Sequence, residues 1–216
     1  MNRQTAAIAL CAVILLGAAG CTGKQLTQRQ IWLRHVKKVQ ENNKKACTAG
    51  CVLFEGDSNM ELIDFQAFLT IPACNYSHRG STTADVLARK EKVRKLRPAI
   101  IVVLVGGNDV VKSYPEETTA RNYEELIGFY KSICERVYCI SNLPVNPRLY
   151  IKNSTMLRLN TRLEKTCRKF GATFINVFPS LYRNGGLNPD YASDPVHLNR
   201  AGQEVLMGIV KKYLPK

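Results

Sequence analysis

Ser58 is the residue in this chain whose type and setting best fit a nucleophile. It closes the stretch Cys51-Val-Leu-Phe-Glu-Gly-Asp-Ser58, in which an apolar run rich in strand formers is followed by Gly-Asp-Ser. A strand that surfaces there and turns into a helix leaves Ser58 held beside backbone N–H groups that have no intrahelical partner. Such groups can stabilise the negative charge that develops on an attacked carbonyl oxygen. Because Asp-Ser between a strand and a helix is also an ordinary cap, catalysis requires partners elsewhere.

Candidate partners for Ser58 lie in three other segments of the chain. They are Gly80, Asn108 and the pair formed by Asp194 and His197. In a parallel sheet all strands end at one edge, so residues just past different strands can converge on one crevice. Taken singly, each segment has a plainer interpretation, because Gly80 fits a turn, Asn108 fits a helix cap and Asp194-Pro195 fits a turn.

With these segments in this order, the chain resembles the SGNH hydrolases, also called the GDSL esterase family, over nearly the whole mature sequence. Ser58, Gly80, Asn108 and His197 stand at the four positions after which the family is named. Asp194 stands at the position of the acid that precedes the histidine by three residues. The resemblance implies a serine esterase that needs no cofactor.

Two places depart from the family's pattern. The residue after the serine is Asn59, where Leu or Ile is usual. The second of the four family motifs, which contains Gly80, reads Arg79-Gly-Ser-Thr-Thr83 here and lacks the commoner Gly-Asp-Thr. The assignment of Gly80 therefore depends most on the order of the four motifs along the chain.

The five matching residues have complementary chemical roles. Ser58 needs a base to take its proton as it attacks, and His197 can act as that base near neutral pH. Asp194 can accept a hydrogen bond from the other ring nitrogen and stabilise the imidazolium. The backbone N–H groups of Ser58 and Gly80 and the side-chain amide of Asn108 form the predicted oxyanion hole.

The elements that must position these residues alternate along the chain. Strands are predicted near residues 51–56, 70–75, 99–105, 136–141 and 173–178, and helices near residues 59–68, 82–96, 117–134, 152–170 and 199–213. Alternation of this kind, with apolar strand runs, calls for a parallel sheet covered on both faces. The predicted fold is an α/β protein of the flavodoxin-like, SGNH hydrolase type, a three-layer α/β/α sandwich with a five-stranded parallel sheet.

The substrate prediction rests on a second resemblance. The segment Ser141-Asn-Leu-Pro-Val-Asn-Pro147, followed by Asn160, resembles the subgroup of sialate O-acetylesterase-like and platelet-activating-factor acetylhydrolase-like proteins, which remove acetyl groups. Asn142 and Asn146 are placed at the rim of the cleft, against sugar hydroxyls, although Asn-Pro is also a common turn. The predicted elements leave no insertion for a lid, so an open, shallow cleft is expected.

The resulting function is hydrolysis of a short acyl ester, most simply an acetyl ester of a carbohydrate. One alternative is a lysophospholipase or thioesterase that acts on longer acyl chains. Another is a non-catalytic, basic envelope lipoprotein that binds an anionic glycan. The sequence does not decide the oligomeric state.

The N-terminus is predicted to be a lipoprotein signal peptide over residues 1–20. A short basic start precedes an apolar run that is too short to span a membrane, and such segments are excluded from fold reasoning. Ala18-Ala-Gly-Cys21 resembles a bacterial lipoprotein processing site, which makes Cys21 the acylated N-terminal residue. This predicts a lipid-anchored protein of the bacterial envelope, which lies in the outer membrane if the organism is Gram-negative and faces the periplasm or the exterior. The hydrolase domain is expected to span residues 49–216.

The chain is strongly basic. Lys and Arg number 31 against 17 Asp and Glu, giving a formal net charge of +14. Much of this charge lies in the segment 21–48, where apolar residues recur at helical spacing: Ile31, Trp32, Val36 and Val39. This helix can lie near anionic lipid or pack its apolar side on the sheet. Nucleic acid is not expected as a partner, because no reader motif occurs.

The mature chain keeps six cysteines, an even number compatible with disulfides in an oxidising envelope. They are Cys47, Cys51, Cys74, Cys134, Cys139 and Cys167. At least one bridge is expected, and the alternative is buried thiols, above all at Cys51, Cys74 and Cys139. No metal site is expected, because no Cys-x-x-Cys pair occurs and the three histidines are scattered.

Overall fold

The computed structural model describes Thr27, Arg34, residues 36–39 and 41–42, and residues 47–215. The predicted signal peptide, Cys21 and most of the basic segment lie outside these residues. Arg34 and residues 36–39 and 41–42 are helical, and Val39 is buried. In the described ranges, no helix combines the length and the apolar composition needed to cross a bilayer.

A single parallel sheet with the strand order β2-β1-β3-β4-β5 forms the centre of the fold. Its strands are β1 (Val52–Gly56), β2 (Ala73–Asn75), β3 (Ile100–Leu104), β4 (Arg136–Ile140) and β5 (Thr173–Ile175). In the middle of the sheet, Val52 pairs with Ala73 on one side and with Ile100 on the other. Every residue of β1 and β3 is buried, as expected for parallel strands covered on both faces. The predicted five-stranded sheet is confirmed.

Helices cover both faces of this sheet. They are α1 (Ser58–Glu61), α2 (Thr83–Ala88), α3 (Lys90–Leu96), α4 (Gly107–Val111), α5 (Glu116–Ile133), α6 (Asn153–Phe170), α7 (Phe178–Leu181) and α8 (Arg200–Val210). Phe54 of β1 belongs to an apolar cluster with Leu206 of α8. The next side chain towards the N-terminus, Leu53, belongs to the opposite cluster with Val86 of α2 and Leu126 of α5. Strand alternation thus places one apolar core on each side of the sheet.

Several elements differ from the predicted ones. The helix expected over 59–68 is the short α1 followed by a 3-10 turn at Phe65–Ala67. The helix expected over 82–96 is divided into α2 and α3 at Arg89, which has non-helical backbone angles of −108° and 5°. The sequence analysis also missed α4, α7 and a small antiparallel hairpin, which consists of β6 (Tyr182–Arg183) and β7 (Gly186–Leu187).

One disulfide, between Cys47 and Cys74, joins the segment before β1 to the edge strand β2. It closes a short loop, and such bridges typically stabilise a fold by about 3 kcal/mol. The expected bridge therefore exists, and Cys74 is not a buried thiol. The other described cysteines are buried thiols: Cys51, Cys134, Cys139 and Cys167.

Candidate active site

Ser58 is fixed by the tight turn from β1 into α1. At Gly56 a Cβ atom would lie 2.2 Å from the carbonyl oxygen of Leu104 on β3, so only glycine allows this close approach. Asp57 caps α1, because its Oδ1 accepts a hydrogen bond from the backbone N–H of Asn59 at 3.0 Å. Ser58 is 7% exposed, which places its hydroxyl at the bottom of a cleft.

Asp57 holds the turn between β1 and α1. It is only 4% exposed. Burial raises the pKa of Asp57 to about 6, although the hydrogen bond from Asn59 and the nearby His197 act in the opposite direction. The carboxyl group thus stabilises the start of the helix that carries Ser58.

Ser58, His197 and Asp194 form a continuous hydrogen-bonded chain. The Ser58 Oγ lies 2.9 Å from His197 Nε2, and His197 Nδ1 lies 2.6 Å from Asp194 Oδ2. A carboxylate can only accept hydrogen bonds, so the ring proton belongs on Nδ1. Nε2 is then free to accept the proton of the serine hydroxyl, which is the arrangement of a nucleophile with its general base.

The second oxygen of Asp194 organises the loop before α8. Asp194 Oδ1 accepts hydrogen bonds from the backbone N–H groups of Val196 at 2.9 Å and His197 at 2.8 Å. Partial burial raises the pKa of Asp194, but these hydrogen bonds and the bond from the His197 ring outweigh it and hold the pKa below its ordinary value. Asp194 is therefore ionised at neutral pH and oriented toward the imidazole.

Asn59 makes a connection that the sequence analysis did not find. Its Nδ2 donates to the carbonyl oxygen of Val196 at 3.2 Å, and its Oδ1 accepts from the backbone N–H of Leu198 at 3.2 Å. These two residues flank His197, so Asn59 joins the serine's helix to both sides of the histidine. The sequence feature that could have indicated this connection is the departure from the usual Leu or Ile at position 59.

The predicted oxyanion donors lie on three segments, which are the start of α1, the loop before α2 and the first turn of α4. Gly80 has φ of +75°, a conformation that favours glycine. Asn108 is the second residue of α4, and its Nδ2 donates to the carbonyl oxygen of Ser81 at 3.0 Å. The other amide hydrogen of Asn108 remains for a substrate oxygen. In the part of the chain that the structure describes, the backbone N–H groups of Ser58 and Gly80 have no acceptor.

The Asp109 side chain joins α4 to the start of α2 and to α5. It is fully buried and accepts hydrogen bonds from the backbone N–H of Thr83 at 2.9 Å and the Thr83 hydroxyl at 2.5 Å. Thr119 adds a third at 3.3 Å. Burial raises the pKa of Asp109, and the Thr83 hydrogen bonds oppose that rise. These contacts give Asp109 a structural role.

The predicted rim position of Asn142 is wrong. Asn142 is 1% exposed, and its amide donates to the Tyr123 hydroxyl and to Asn160 Oδ1, both at 3.0 Å. Asn142 is the second residue after the buried end of β4, so it lies under the cleft rather than at its edge. Asn146 accepts from the backbone N–H of Arg148 at 2.9 Å, which is the turn that its Asn-Pro sequence favours.

An apolar pocket of about 310 Å³ opens on one side of Ser58. Its lining is mostly aliphatic and aromatic, and it includes Leu104, Val111, Leu143, Tyr150, Ile151 and Met156. The Tyr150 hydroxyl donates to the carbonyl oxygen of Val111 at 3.2 Å, so the loop between β4 and α6 is attached to α4 across the pocket. The expected shallow cleft is therefore deeper on this side, because that loop folds over it.

A second, polar pocket of about 320 Å³ opens on the other side of Ser58. Its lining includes Arg79, Gly80, Asn108, Ser193, Asp194 and His197. Arg79 lies 3.5 Å from Glu61 in an ion pair, and its side chain is half-exposed. Ser58, Asn108 and His197 line both pockets, so a substrate carbonyl placed at Ser58 would have an apolar group on one side and a polar group on the other.

No group of three or more His, Cys, Asp or Glu side chains in the described part of the chain is arranged to hold a metal ion. The predicted chemistry of Ser58, His197 and Asp194 requires none.

Comparisons with known proteins identify the family and the fold of this chain. The profile of the GDSL-like lipase/acylhydrolase family matches residues 62–205, a span that contains Gly80, Asn108, Asp194 and His197 and begins shortly after Ser58. A search of curated proteins found no match.

Solved structures with the same fold include three informative ones. A Streptococcus pneumoniae protein described as a platelet activating factor is 25% identical, with a TM-score of 0.70 over 87% of this chain and 96% of that chain. A GDSL-like lipase from Bacteroides thetaiotaomicron is 25% identical, with a TM-score of 0.69 over 82% and 95% of the two chains. An acetylxylan esterase from Geobacillus stearothermophilus is 18% identical, with a TM-score of 0.65 over 78% and 95%, which is a likeness of fold.

Proposed function

Because the chain belongs to the GDSL-like lipase/acylhydrolase family and is a serine esterase of the SGNH type, we propose that Ser58, His197 and Asp194 are its catalytic triad. The observation that carries the proposal is the hydrogen-bonded chain from the Ser58 hydroxyl through the imidazole to the carboxylate. Family membership and this geometry together oppose the alternative of a non-catalytic glycan-binding protein.

In the proposed reaction, Ser58 Oγ attacks the ester carbonyl carbon while His197 Nε2 takes the hydroxyl proton. The carbonyl oxygen becomes an oxyanion, which the N–H groups of Ser58 and Gly80 and the amide of Asn108 stabilise. The bond to the alcohol oxygen then breaks, and His197 returns the proton to that oxygen. Asp194 stays ionised throughout and stabilises the imidazolium.

The acyl group is now bound to Ser58 Oγ as an ester. A water molecule attacks this ester, and His197 takes the proton of the water as it attacks. Collapse of the second oxyanion breaks the bond to Ser58 Oγ, which regains its proton from His197. The carboxylic acid leaves, and the enzyme returns to its starting state.

The two pockets support a substrate with one apolar and one polar side. The apolar pocket suits the acyl group, and the polar pocket, with Arg79 and Ser193, suits an alcohol rich in hydroxyl groups, such as a carbohydrate. An acetyl or other short acyl ester of a carbohydrate is therefore the first substrate class that we propose.

The size of the apolar pocket favours a second candidate. A volume of about 310 Å³ offers room for roughly ten groups of the size of a water molecule, whereas an acetyl group has only one methyl beyond its carbonyl. Esters or thioesters with a longer acyl chain would fill this space. A sixteen-carbon chain exceeds it, so we propose that the acyl group is of short to medium length.

The proposed cellular setting is the bacterial envelope. The basis is the sequence around Cys21, which would carry the lipid anchor and hold the domain at a membrane.

A fluorophosphonate probe tests the proposed nucleophile directly. Ser58 Oγ would displace fluoride from phosphorus and leave a stable adduct, which peptide mass spectrometry locates. We expect the adduct on the peptide that contains Ser58 and no adduct in Ser58→Ala. An adduct on any other serine, or none at all in the wild-type protein, would refute the assignment.

A further inference from the structure

A buried carboxylate lies in the middle of the central strand. Glu55 belongs to β1, where every residue is buried, and its exposed fraction is 0%. Its neighbours on the adjacent strand β3 are aliphatic, and Val103 pairs with it directly. Burying a charged side chain at such a place costs folding free energy unless the charge is paired and hydrogen-bonded.

Arg89 is the partner of Glu55. Its Nε and Nη2 atoms lie 3.1 Å and 2.5 Å from Glu55 Oε1. The guanidinium is itself mostly buried, with 13% of the side chain exposed. Burial raises the pKa of Glu55 to about 7, although its hydrogen bond and charge interaction with Arg89 act in the opposite direction. Within the described residues, Glu55 Oε2 has no hydrogen-bond partner.

Two further hydrogen bonds of Arg89 reach loops of the active site, and Nη1 also donates to the carbonyl oxygen of Asp85 on α2 at 3.3 Å. Nη2 donates to the carbonyl oxygen of Gly56 at 3.2 Å, in the turn that leads to Ser58. Nη1 donates to the hydroxyl of Ser81 at 2.9 Å. Ser81 directly follows Gly80, so one planar guanidinium joins the two backbone segments that carry the proposed oxyanion N–H groups.

Ser81 also connects this network to the third proposed donor. Its carbonyl oxygen accepts the hydrogen bond from Asn108 Nδ2 at 3.0 Å. A displacement of Ser81 would therefore move Gly80 and release Asn108 at the same time. Gly80 and Asn108 therefore depend on the position of a short loop that Arg89 holds, and the Ser58 donor follows the turn at Gly56, to which Arg89 is also bonded.

Stability alone is a weak reason for such a pair. Replacing a buried ion pair by apolar residues of similar size is often neutral or stabilising, because removing two charges from water costs more than their attraction returns. Arg89 in addition interrupts what would otherwise be one helix from α2 into α3. The placement of its donors at both oxyanion loops gives the pair a function beyond stability.

We propose that Arg89, held in place by Glu55, is a positioning residue that fixes the loop of Gly80 and Ser81 against the turn of Ser58 and so sets the geometry of the oxyanion hole. The proposal rests on the proposed esterase function. Because an oxyanion forms only during the reaction, a misplaced hole lowers kcat and leaves KM nearly unchanged.

The first measurement compares the kinetics of Arg89→Met with those of the wild type, with p-nitrophenyl acetate as the substrate. We expect kcat to fall about 10- to 100-fold, with KM changed less than about threefold, because small displacements of catalytic groups have effects of this size. Arg89→Lys keeps the charge but lacks the planar fork, so it should keep most of the thermal stability and still show the low kcat. If Arg89→Met does not fold, Arg89→Lys carries the test.

The decisive variant is the double substitution Glu55→Met/Arg89→Met. It removes both buried charges, so its melting temperature should recover toward that of the wild type, while kcat should stay low. Phenylboronic acid gives a second readout, because its tetrahedral adduct with Ser58 places an oxygen in the oxyanion hole. Its inhibition constant should rise in parallel with the loss of kcat.

Arg94→Met is the matched control. Arg94 lies on α3, pairs with the exposed Glu91 and stacks over the ring of Phe129, so its loss should leave kcat unchanged. A double variant whose kcat recovers together with its melting temperature would show that the pair serves stability only and would overturn the proposal. Wild-type kcat in Arg89→Lys would do the same. If the wild type shows no turnover that depends on Ser58, the esterase function itself fails, and this proposal with it.

Discussion

The Nε2 atom of His197 lies 2.9 Å from the Oγ atom of Ser58, although 139 positions separate the two residues in the chain. The contact exists because β1 and the loop before α8 meet at the same edge of the parallel sheet. Asn59 adds hydrogen bonds to the residues on both sides of His197, so the distance does not depend on the triad alone. A hydroxyl and an imidazole held in this way are prepared for proton transfer before any substrate binds.

The first prediction is that Ser58→Ala abolishes hydrolysis of p-nitrophenyl acetate and leaves the fold intact. The substitution removes one hydroxyl that contributes little to the core, so the circular dichroism and the melting temperature should not change. Ser132→Ala is the control, because Ser132 is an exposed serine whose hydroxyl donates to the Phe129 carbonyl of its own helix. Turnover that persists in Ser58→Ala would contradict the assignment.

The second prediction concerns Asn59. Asn59→Leu restores the residue type usual in the family but removes both hydrogen bonds to the histidine loop. We expect kcat for p-nitrophenyl acetate to fall about tenfold, because His197 is held less firmly against Ser58. Steady-state kinetics and the melting temperature are the measurements. An unchanged kcat would mean that Asp194 and the loop hold the histidine unaided.

Much of the fold could be predicted because its central strands are continuous apolar runs. Ile100–Leu104 is buried on both faces, so its composition alone identifies it as an inner strand. Ser58, Gly80 and Asn108 could be found for a related reason, since they follow such runs along the chain, whereas Asp194 and His197 precede α8 and were found through the resemblance to the family. A parallel sheet brings those positions together irrespective of their separation in sequence.

The features of the fold and the site that could not be predicted depend on tertiary contacts, which leave no local pattern in the sequence. α4 begins in Gly106-Gly-Asn-Asp109, a segment with two glycines and no apolar periodicity, so its sequence does not predict a helix. The depth of the apolar pocket depends on a hydrogen bond between Tyr150, in the loop after β4, and Val111, at the end of α4. The break between α2 and α3 likewise falls at Arg89, whose ion-pair partner Glu55 is 34 positions away in the sequence.

The third prediction is that Asn108→Ala lowers kcat more than it raises KM. The amide is proposed to act on the oxyanion of the transition state, and one such donor typically contributes about 10²- to 10³-fold in rate. The substitution also removes the bond to the Ser81 carbonyl, so the effect includes some loss of loop order. A change confined to KM would indicate that Asn108 binds the ground state of the substrate instead.

The fourth prediction tests the proposed lipid anchor. In a Gram-negative host fed with labelled palmitate, the wild-type protein should carry the label and sediment with membranes. Cys21→Ser should lose the label and release the protein from the membrane, because several acyl chains are needed for firm anchoring. Cys11→Ser is the control, since Cys11 lies within the proposed signal peptide and should not affect labelling. Equal membrane fractions for wild type and Cys21→Ser would refute the anchor.

The fifth prediction concerns the acyl chain that the apolar pocket accepts. In a series of p-nitrophenyl esters from acetate to palmitate, kcat/KM should rise over the first few added carbons and then fall. Each methylene buried in the pocket contributes about 0.8 kcal/mol, which corresponds to roughly a fourfold gain. The gain should end when the chain exceeds the pocket's volume of about 310 Å³. A steady fall from acetate would favour the acetyl ester, and a rise to palmitate would favour a lysophospholipase or thioesterase.

A bulky residue at Val111 shows whether the acyl group occupies this pocket at all. Val111 lines the pocket and is 40% exposed, so a tryptophan there can be accommodated without disturbing the core. Val111→Trp should reduce kcat/KM for the hexanoate ester severalfold and that for the acetate ester little, because only the longer chain reaches the filled space. Leu157→Trp is the matched control, since Leu157 is 47% exposed on α6 and does not line the pocket. An equal loss for both esters would place the acyl group elsewhere and assign this apolar surface to the alcohol.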